Sequence, residues 1–285
     1  MKHSGLLIDG VPPSVEDLDW LLASRALAFG EGVFTSLRVW QGKPVFWSGH
    51  LKRLQASLKD LGAALPPDWW AALSAEVLLV AQQLQAGRLK IMLLAGPGGQ
   101  GYRASPSSIR WHRVIHPLVW QPPVEPYQGI RAWWMQTQDE RPLSRHKHLN
   151  CLPQVLLSQR CPSDYSEAVL FDERGFLTEG LSRNLFWYAQ GQWFTPALHK
   201  GVLAGVMRFQ VIEACSQVSE QVQACLADLQ QAEEVFLCNS VQGIWPLLGL
   251  DDASGALADW ALGPQTLALM QRLHPQMGLP AGDEG

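Results

Sequence analysis

The sequence predicts a two-domain protein of mixed α and β structure, α+β or α/β, with a small N-terminal α/β domain over 1–120 and a larger C-terminal domain of mixed strands with helices over 129–285. Three observations carry this. At 285 residues the chain is longer than one minimal core requires. Gln121-Pro122-Pro123-Val124-Glu125-Pro126 resists both helix and central strand, so 121–128 reads as a linker. Before that stretch strand and helix patterns alternate, and after it short strands separated by glycine turns dominate.

Hydrophobic residues make up 47% and charged residues 17%, a composition that argues against disorder. A net charge of -4 without a basic block leaves no footprint for nucleic acid, so a small ligand is expected. Met1 to Asp9 lacks the apolar run of a signal peptide, and no stretch approaches the length of a membrane span. The five cysteines are odd in number and lack paired metal spacing, which suits reduced thiols in a cytoplasmic protein.

In chain order, Gly5 to Gly10 reads as a short strand into a turn, and Val33 to Trp40 as a β-rich strand stopped by Gln41-Gly42. Just before it, Gly30 and Gly32 allow tight backbone geometry. Leu51, Leu54, Leu58 and Leu61 share one face of a helix that opens at Ser48 and stops at Gly62. Arg53 lies beside that stripe, placed either as a solvated helix arginine or as a fork for a phosphate. A second helix, Asp68 to Ala86, has Asp68 as its expected cap. Arg88 to Ala95 and Ile109 to Leu118 read as strands. Gly96-Pro97-Gly98-Gly99-Gln100-Gly101-Tyr102-Arg103 between them is either a flexible surface hairpin or the wall of a pocket.

Beyond the linker, Ile130 to Thr137 reads as a strand, followed by Arg145-His146-Lys147-His148-Leu149-Asn150 and a helix ending near Cys161-Pro162. A lysine set between histidines and ahead of apolar residues is either a surface charge or an amine freed for imine chemistry. Strands at 167–171 and 176–179 flank a turn at 172–175, and strands at 184–188 and 193–195 flank a turn at 189–192. Glu179 ends its strand among apolar residues, where a carboxylate needs a cation. Gly201 to Arg208 leads into a helix with no acid in its first turn, so its amides are open to an anion. After a strand at 234–238, Ser240 offers a hydroxyl suited to a phosphate cradle. A last helix runs from Pro264 to Leu273.

These windows together resemble the fold-type IV pyridoxal phosphate enzymes, which include branched-chain aminotransferases, D-amino acid aminotransferases and 4-amino-4-deoxychorismate lyases. The resemblance runs from Ile8-Asp9-Gly10 to Pro246, with six motifs in that family's order: Phe29-Gly30-Glu31-Gly32-Val33-Phe34, His50-Leu51-Lys52-Arg53-Leu54, Lys147-His148-Leu149-Asn150, Thr178-Glu179-Gly180 with Asn184-Leu185-Phe186, Gly201 to Arg208, and Cys238-Asn239-Ser240. The resemblance implies a D-amino acid aminotransferase-like fold and pyridoxal 5'-phosphate as cofactor. It also implies roles: Lys147 binds the cofactor covalently and moves protons, and Glu179 faces the pyridine nitrogen. Arg53, the amides of Val206 and Met207, and Ser240 hold the phosphate.

Branched-chain aminotransferases place a tyrosine five residues after the lysine, where this chain has Leu152. Lys147 to Asn150 followed by Leu152 and Gln154-Val155-Leu156, and Gly98 to Tyr102, look instead like the lyase. That resemblance implies conversion of 4-amino-4-deoxychorismate to 4-aminobenzoate and pyruvate in folate biosynthesis. Ser36, Arg38, Tyr102 and Arg103 are then candidates for the substrate carboxylates, although Ser36 stands where some lyases have threonine. An aminotransferase on the same cofactor, or a non-catalytic small-ligand binder, are the competing readings. The resemblance further implies a homodimer.

Overall fold

The computed structural model describes residues 5–137, 144–198 and 201–282. It comprises two units, Met1–Gln121 with His146–Cys151, and Pro122–Arg145 with Leu152–Gly285. The short segment carrying Lys147 thus belongs with the N-terminal residues, although the expected boundary places it among the later ones.

The first unit contains β1 (Leu7–Ile8), α1 (Glu16–Leu22), α2 (Arg25–Phe29), β2 (Gly32–Trp40), β3 (Lys43–Pro44), α3 (Trp47–Asp60), α4 (Pro67–Leu84), β4 (Gly87–Ala95) and β5 (Trp111–Leu118). The strands form an antiparallel sheet in the order β1-β5-β4-β2-β3. Strand alternation turns Val33, Leu37 and Val39 of β2 and Leu89, Ile91 and Leu93 of β4 to one face. There they pack with Leu54 and Leu58 of α3 and Leu73, Val77 and Val80 of α4. Truncating one such leucine costs about 2–5 kcal/mol.

The leucine stripe therefore marks α3 correctly, and its end coincides with Gly62 at φ 80°. The cap expected at Asp68 is corrected. Helix α4 starts at Pro67, whose fixed φ suits a first helical position, and Asp68 lies inside the first turn. Helices α1 and α2 add to the expected elements. Ser24 caps α2 by accepting from the Leu27 amide at 3.1 Å.

The second unit contains β6 (Ile130–Gln136), α5 (Leu152–Arg160), β7 (Ala168–Phe171), β8 (Leu177–Gly180), β9 (Asn184–Ala189), β10 (Gln192–Pro196), α6 (Val206–Ala214), β11 (Val218–Gln221), α7 (Leu226–Gln230), β12 (Glu234–Asn239), β13 (Gly243–Asp252), β14 (Gly255–Asp259) and α8 (Pro264–Leu273). Its sheet runs β11-β10-β9-β12-β13-β6-β7-β8, with β14 paired to β13. The two expected hairpins form: Gly175 at φ 83° turns β7 into β8, and Gln190 and Gly191 at φ 53° and 79° turn β9 into β10. Val169, Phe171, Leu185, Trp187, Val235, Leu237, Leu247 and Leu250 form the core of this sheet.

Glu125–Tyr127 of the proline-rich stretch forms a single 3-10 turn, and the buried Tyr127 meets the His274 ring edge-on at 5.5 Å. No helix among the described residues is long and apolar enough to cross a membrane.

Candidate active site

In the first unit the site is built on the N-terminal half of β2. β4 pairs with β2 along its length, whereas β3 reaches only Val39 and Trp40 on the other edge. The lysine segment takes up the remaining edge. The Phe34 amide donates to the Lys147 carbonyl at 2.8 Å, the Leu149 amide donates to Gly32 at 3.0 Å, and Val33 and His148 form a bridge. This register puts Lys147 on the same face as Phe34, with Nζ 4.8 Å from the ring centroid; Lys90 Nζ lies 5.1 Å from the same ring.

The motif glycines make that approach possible. Gly30 sits at φ 67° with Asn150 where a Cβ would project, and a Cβ on Gly32 would meet Leu149 at 2.6 Å and the Leu93 carbonyl at 2.7 Å.

Thr35 points to the opposite face, toward α3. Arg53 Nη2 donates to Thr35 Oγ1 at 2.6 Å, so the threonine proton is available to His50 Nδ1, also at 2.6 Å. This assignment leaves His50 neutral, and burial together with the Arg53 charge holds its pKa well below the ordinary histidine value. Arg53 as a whole side chain is only partly buried, yet its guanidinium lies deep enough that burial pulls its pKa down to about 10. One turn further along α3, His146 Nδ1 lies 3.0 Å from Ser57 Oγ, and its Nε2 lies 3.0 Å from Asp60 Oδ2. Lys147 and Arg53 are therefore both anchored around Phe34-Thr35. Thr35 and His50 were missed as site residues because nothing local in the sequence pairs a strand threonine with a helix histidine.

The glycine loop is closed onto Arg25. That guanidinium donates to Gly98 at 3.2 Å, to Gly101 at 2.8 Å, to Tyr102 at 3.2 Å and to Glu31 at 2.6 Å. A hollow of about 300 Å³ lies beside it, bounded by Arg25, Glu31, Tyr102 and Trp111. Tyr102 and Arg103 project into solvent, Tyr102 being 87% exposed. Ser36 is half-buried, cross-strand from Lys90 and on the Phe34 face. Arg38 is placed differently: its guanidinium is buried, donates to the Gly87 and Trp120 carbonyls at 3.4 and 3.3 Å, and lies 5.1 Å from the Trp120 ring.

In the second unit Glu179 stands on β8, and its Oε2 accepts from the Leu203 amide at 2.9 Å and from Asn184 Nδ2 at 3.3 Å. Asn184 Nδ2 also donates to the Leu203 carbonyl at 2.9 Å, fixing the 203–205 backbone beside the carboxylate. Gly205 precedes α6 with Asn184 Oδ1 where a side chain would sit, so only glycine fits there. Helix α6 has no acid in its first turn and no side-chain cap, leaving the Val206 and Met207 end suited to an anion.

Ser240 is at the tip of a turn in which Asn239 Oδ1 accepts from the Val241 and Gln242 amides at 3.0 and 2.8 Å. That turn is braced by Arg183, which donates to Gln242 Oε1 at 2.6 Å and to Glu167 Oε2 at 2.5 Å.

An amine, a guanidinium, a carboxylate, helix amides and a hydroxyl are the groups that an aldehyde, a phosphate and a ring nitrogen call for, so these residues fit pyridoxal 5'-phosphate. A family model described as amino-transferase class IV matches residues 32–249. An aminodeoxychorismate lyase from Vibrio harveyi is 30% identical over 89% of this chain and 95% of its own length. A putative branched-chain-amino-acid aminotransferase from Methanocaldococcus jannaschii is 27% identical over 80% of this chain and 81% of its own. The crystal structure of 4-amino-4-deoxychorismate lyase from Pseudomonas aeruginosa superposes with a TM-score of 0.82 at 30% identity, covering 95% of this chain and 98% of that one. The fold-type IV architecture implied by the ordered motifs is thus the one observed, and the chain belongs to the amino-transferase class IV family.

Proposed function

We propose that this chain is a 4-amino-4-deoxychorismate lyase that uses pyridoxal 5'-phosphate to form 4-aminobenzoate and pyruvate. The observation that carries the reading is the likeness, over nearly the whole chain, to the Vibrio harveyi aminodeoxychorismate lyase. Leu152 supports it, because this exposed side chain occupies the place of the tyrosine expected of a branched-chain aminotransferase.

When bound, the cofactor supplies an electron sink that makes the carbon next to the substrate nitrogen acidic. Lys147 would hold the cofactor through Nζ and, once the substrate amine has replaced it there, the freed amine would take that proton. Loss of the enolpyruvyl group, with a proton delivered to it, makes the ring aromatic and releases pyruvate. The Glu179 carboxylate, oriented by the Leu203 amide and Asn184, serves the ring nitrogen. Arg53, the Val206 and Met207 amides and Ser240 hold the phosphate. Ser36, Tyr102 and Arg103 orient the substrate carboxylates; Arg38, held by two backbone carbonyls, supports β2 behind them. The working form is a cytoplasmic homodimer.

Purified protein given 4-amino-4-deoxychorismate should release 4-aminobenzoate and pyruvate in equal amounts. Lys147→Ala should lose both this activity, by about a thousandfold or more, and the borohydride-sensitive visible band. Sustained glutamate formation from amino-acid donors and 2-oxoglutarate, without 4-aminobenzoate, would instead identify a D-amino acid or branched-chain aminotransferase.

A further inference from the structure

Ser240 stands in a turn whose inner donors are already used. Asn239 Oδ1 takes the Val241 and Gln242 amides at 3.0 and 2.8 Å, so those two amides are committed within the turn. What this turn can give a phosphate therefore depends on where it holds Ser240.

One side chain joins the turn to the interior of its unit. Gln242 Oε1 receives Arg183 Nη2 at 2.6 Å and Asn239 Nδ2 at 3.4 Å, which links the residue that shapes the turn to a guanidinium outside it. Arg183 immediately precedes β9 and is itself held on several sides. Its Nη1 donates to Glu167 Oε2 at 2.5 Å and to Ser182 Oγ at 3.0 Å, and the guanidinium stacks 3.4 Å from the Trp245 ring centroid. Arg183 and Glu167 are 4% and 1% exposed, so separating the pair would leave two charges unmatched in the interior. A polar turn loses conformational freedom when it closes on an anion, and a turn already fixed loses less.

We propose that Gln242 is a positioning residue for Ser240, fastening the β12–β13 turn to the buried Glu167–Arg183 pair so that a phosphate meets a turn already in its binding conformation. The inference rests on the reading that Ser240 holds the cofactor phosphate. The residue type suits the place. An amide oxygen accepts the guanidinium proton without bringing another negative charge to the turn, as a glutamate would, and a leucine accepts no hydrogen bond at all.

The test is titration of pyridoxal 5'-phosphate, and of pyridoxal lacking the phosphate, into the cofactor-free wild type and Gln242→Leu. The variant should bind pyridoxal 5'-phosphate about five- to tenfold more weakly, the effect of one net hydrogen bond, and should bind pyridoxal as the wild type does. A merely structural role predicts equal losses for the two ligands. Arg183→Met/Glu167→Leu removes the anchor without stranding a charge; it should show the same phosphate-specific loss and decides the matter if Gln242→Leu does not fold. Equal weakening of both ligands, or wild-type affinity for both, overturns the proposal. Ser240→Ala tests the underlying reading separately. If it binds pyridoxal 5'-phosphate like the wild type, Ser240 is not a phosphate ligand and the reading is wrong. If it weakens pyridoxal 5'-phosphate alone while Gln242→Leu and the double variant change nothing, the Gln242 brace is wrong.

Discussion

Arg183, in the second unit, meets Glu167 at 2.5 Å and Gln242 at 2.6 Å and stacks 3.4 Å from the Trp245 ring centroid. Arg53, in the first unit, gives Nη2 to the Thr35 hydroxyl, whose own proton is directed at a neutral histidine. Burial lowers both pKa values, but at Arg183 the Glu167 carboxylate pulls in the opposite direction, whereas at Arg53 desolvation is the effect that acts. The first arrangement carries its counter-charge within the fold and braces the Ser240 turn. The second sets a guanidinium against the Thr35 hydroxyl, with desolvation lowering its pKa, and a guanidinium fork is a ligand suited to a phosphate. A buried cation is thus informative less by its burial than by the groups it meets.

Removing each cation in turn should give opposite results. Arg183→Met should destabilise the protein by about 3–5 kcal/mol, because Glu167, 1% exposed, is left as a buried unpaired charge. Denaturant melts of the cofactor-free protein measure this. An Arg183→Met/Glu167→Leu double variant should recover most of the loss. A single variant that melts like wild type would show that the pair carries no structural role.

The comparison also shows what was legible in the sequence. Leu51, Leu54, Leu58 and Leu61 announce α3, and Gly175 and Gly191 announce their hairpins, because helical period and positive φ are local properties. Helices α1 and α2, at seven and five residues, are too short for a period to show. The length of β13 and the presence of β14 were likewise hidden, since their pairing partners are set by the sheet. Lys147 and Glu179 stand out as residues in motifs, but the groups that hold them do not. The edge pairing of Lys147 with Phe34, the Thr35–His50 contact and the Asn184–Leu203 brace join segments brought together only by the fold. Arg38 illustrates the limit: an arginine on a β-strand looks available, and packing commits it to two carbonyls and an indole.

A second buried cation-former should behave as a pH-dependent counterpart of Arg183. His274 accepts from the Ile244 amide at 2.8 Å through Nε2, and its Nδ1 faces the Pro280 carbonyl, so the neutral form is required. Burial lowers its pKa to about 4 despite the Pro280 carbonyl. The unfolded chain therefore takes up this proton first on acidification. The resulting stabilisation is complete above about pH 6.5 and is lost as pH falls toward 4, amounting to about 3 kcal/mol. His274→Gln should flatten that part of the stability profile, and an unchanged slope between pH 6.5 and 4 would remove His274 as its source.

Arg53→Met should give the reverse of the Arg183 result. The cofactor-free protein is expected to lose about 1–2 kcal/mol, less than the Arg183 variant. Affinity for pyridoxal 5'-phosphate should fall about 10- to 100-fold, and affinity for pyridoxal lacking the phosphate should be unchanged. Equal losses for both ligands would show that Arg53 acts through the fold and not through the phosphate.

The smallest effect is expected at Tyr102, where the glycine loop separates support from contact. Arg25 donates to three loop carbonyls and to Glu31, while the Tyr102 side chain is 87% exposed and its ring centroid lies 5.1 Å from that of Phe29. Tyr102→Phe retains that ring contact and removes only the hydroxyl, so stability should stay within about 0.5 kcal/mol. If the hydroxyl meets a substrate carboxylate, KM should rise about three- to tenfold with kcat nearly constant, because such a bond is made equally in the ground and transition states. If kcat falls and KM does not, Tyr102 acts on the chemical step instead. If neither moves, the loop contributes through its Arg25-braced backbone alone, and Arg103 is the remaining loop side chain to test.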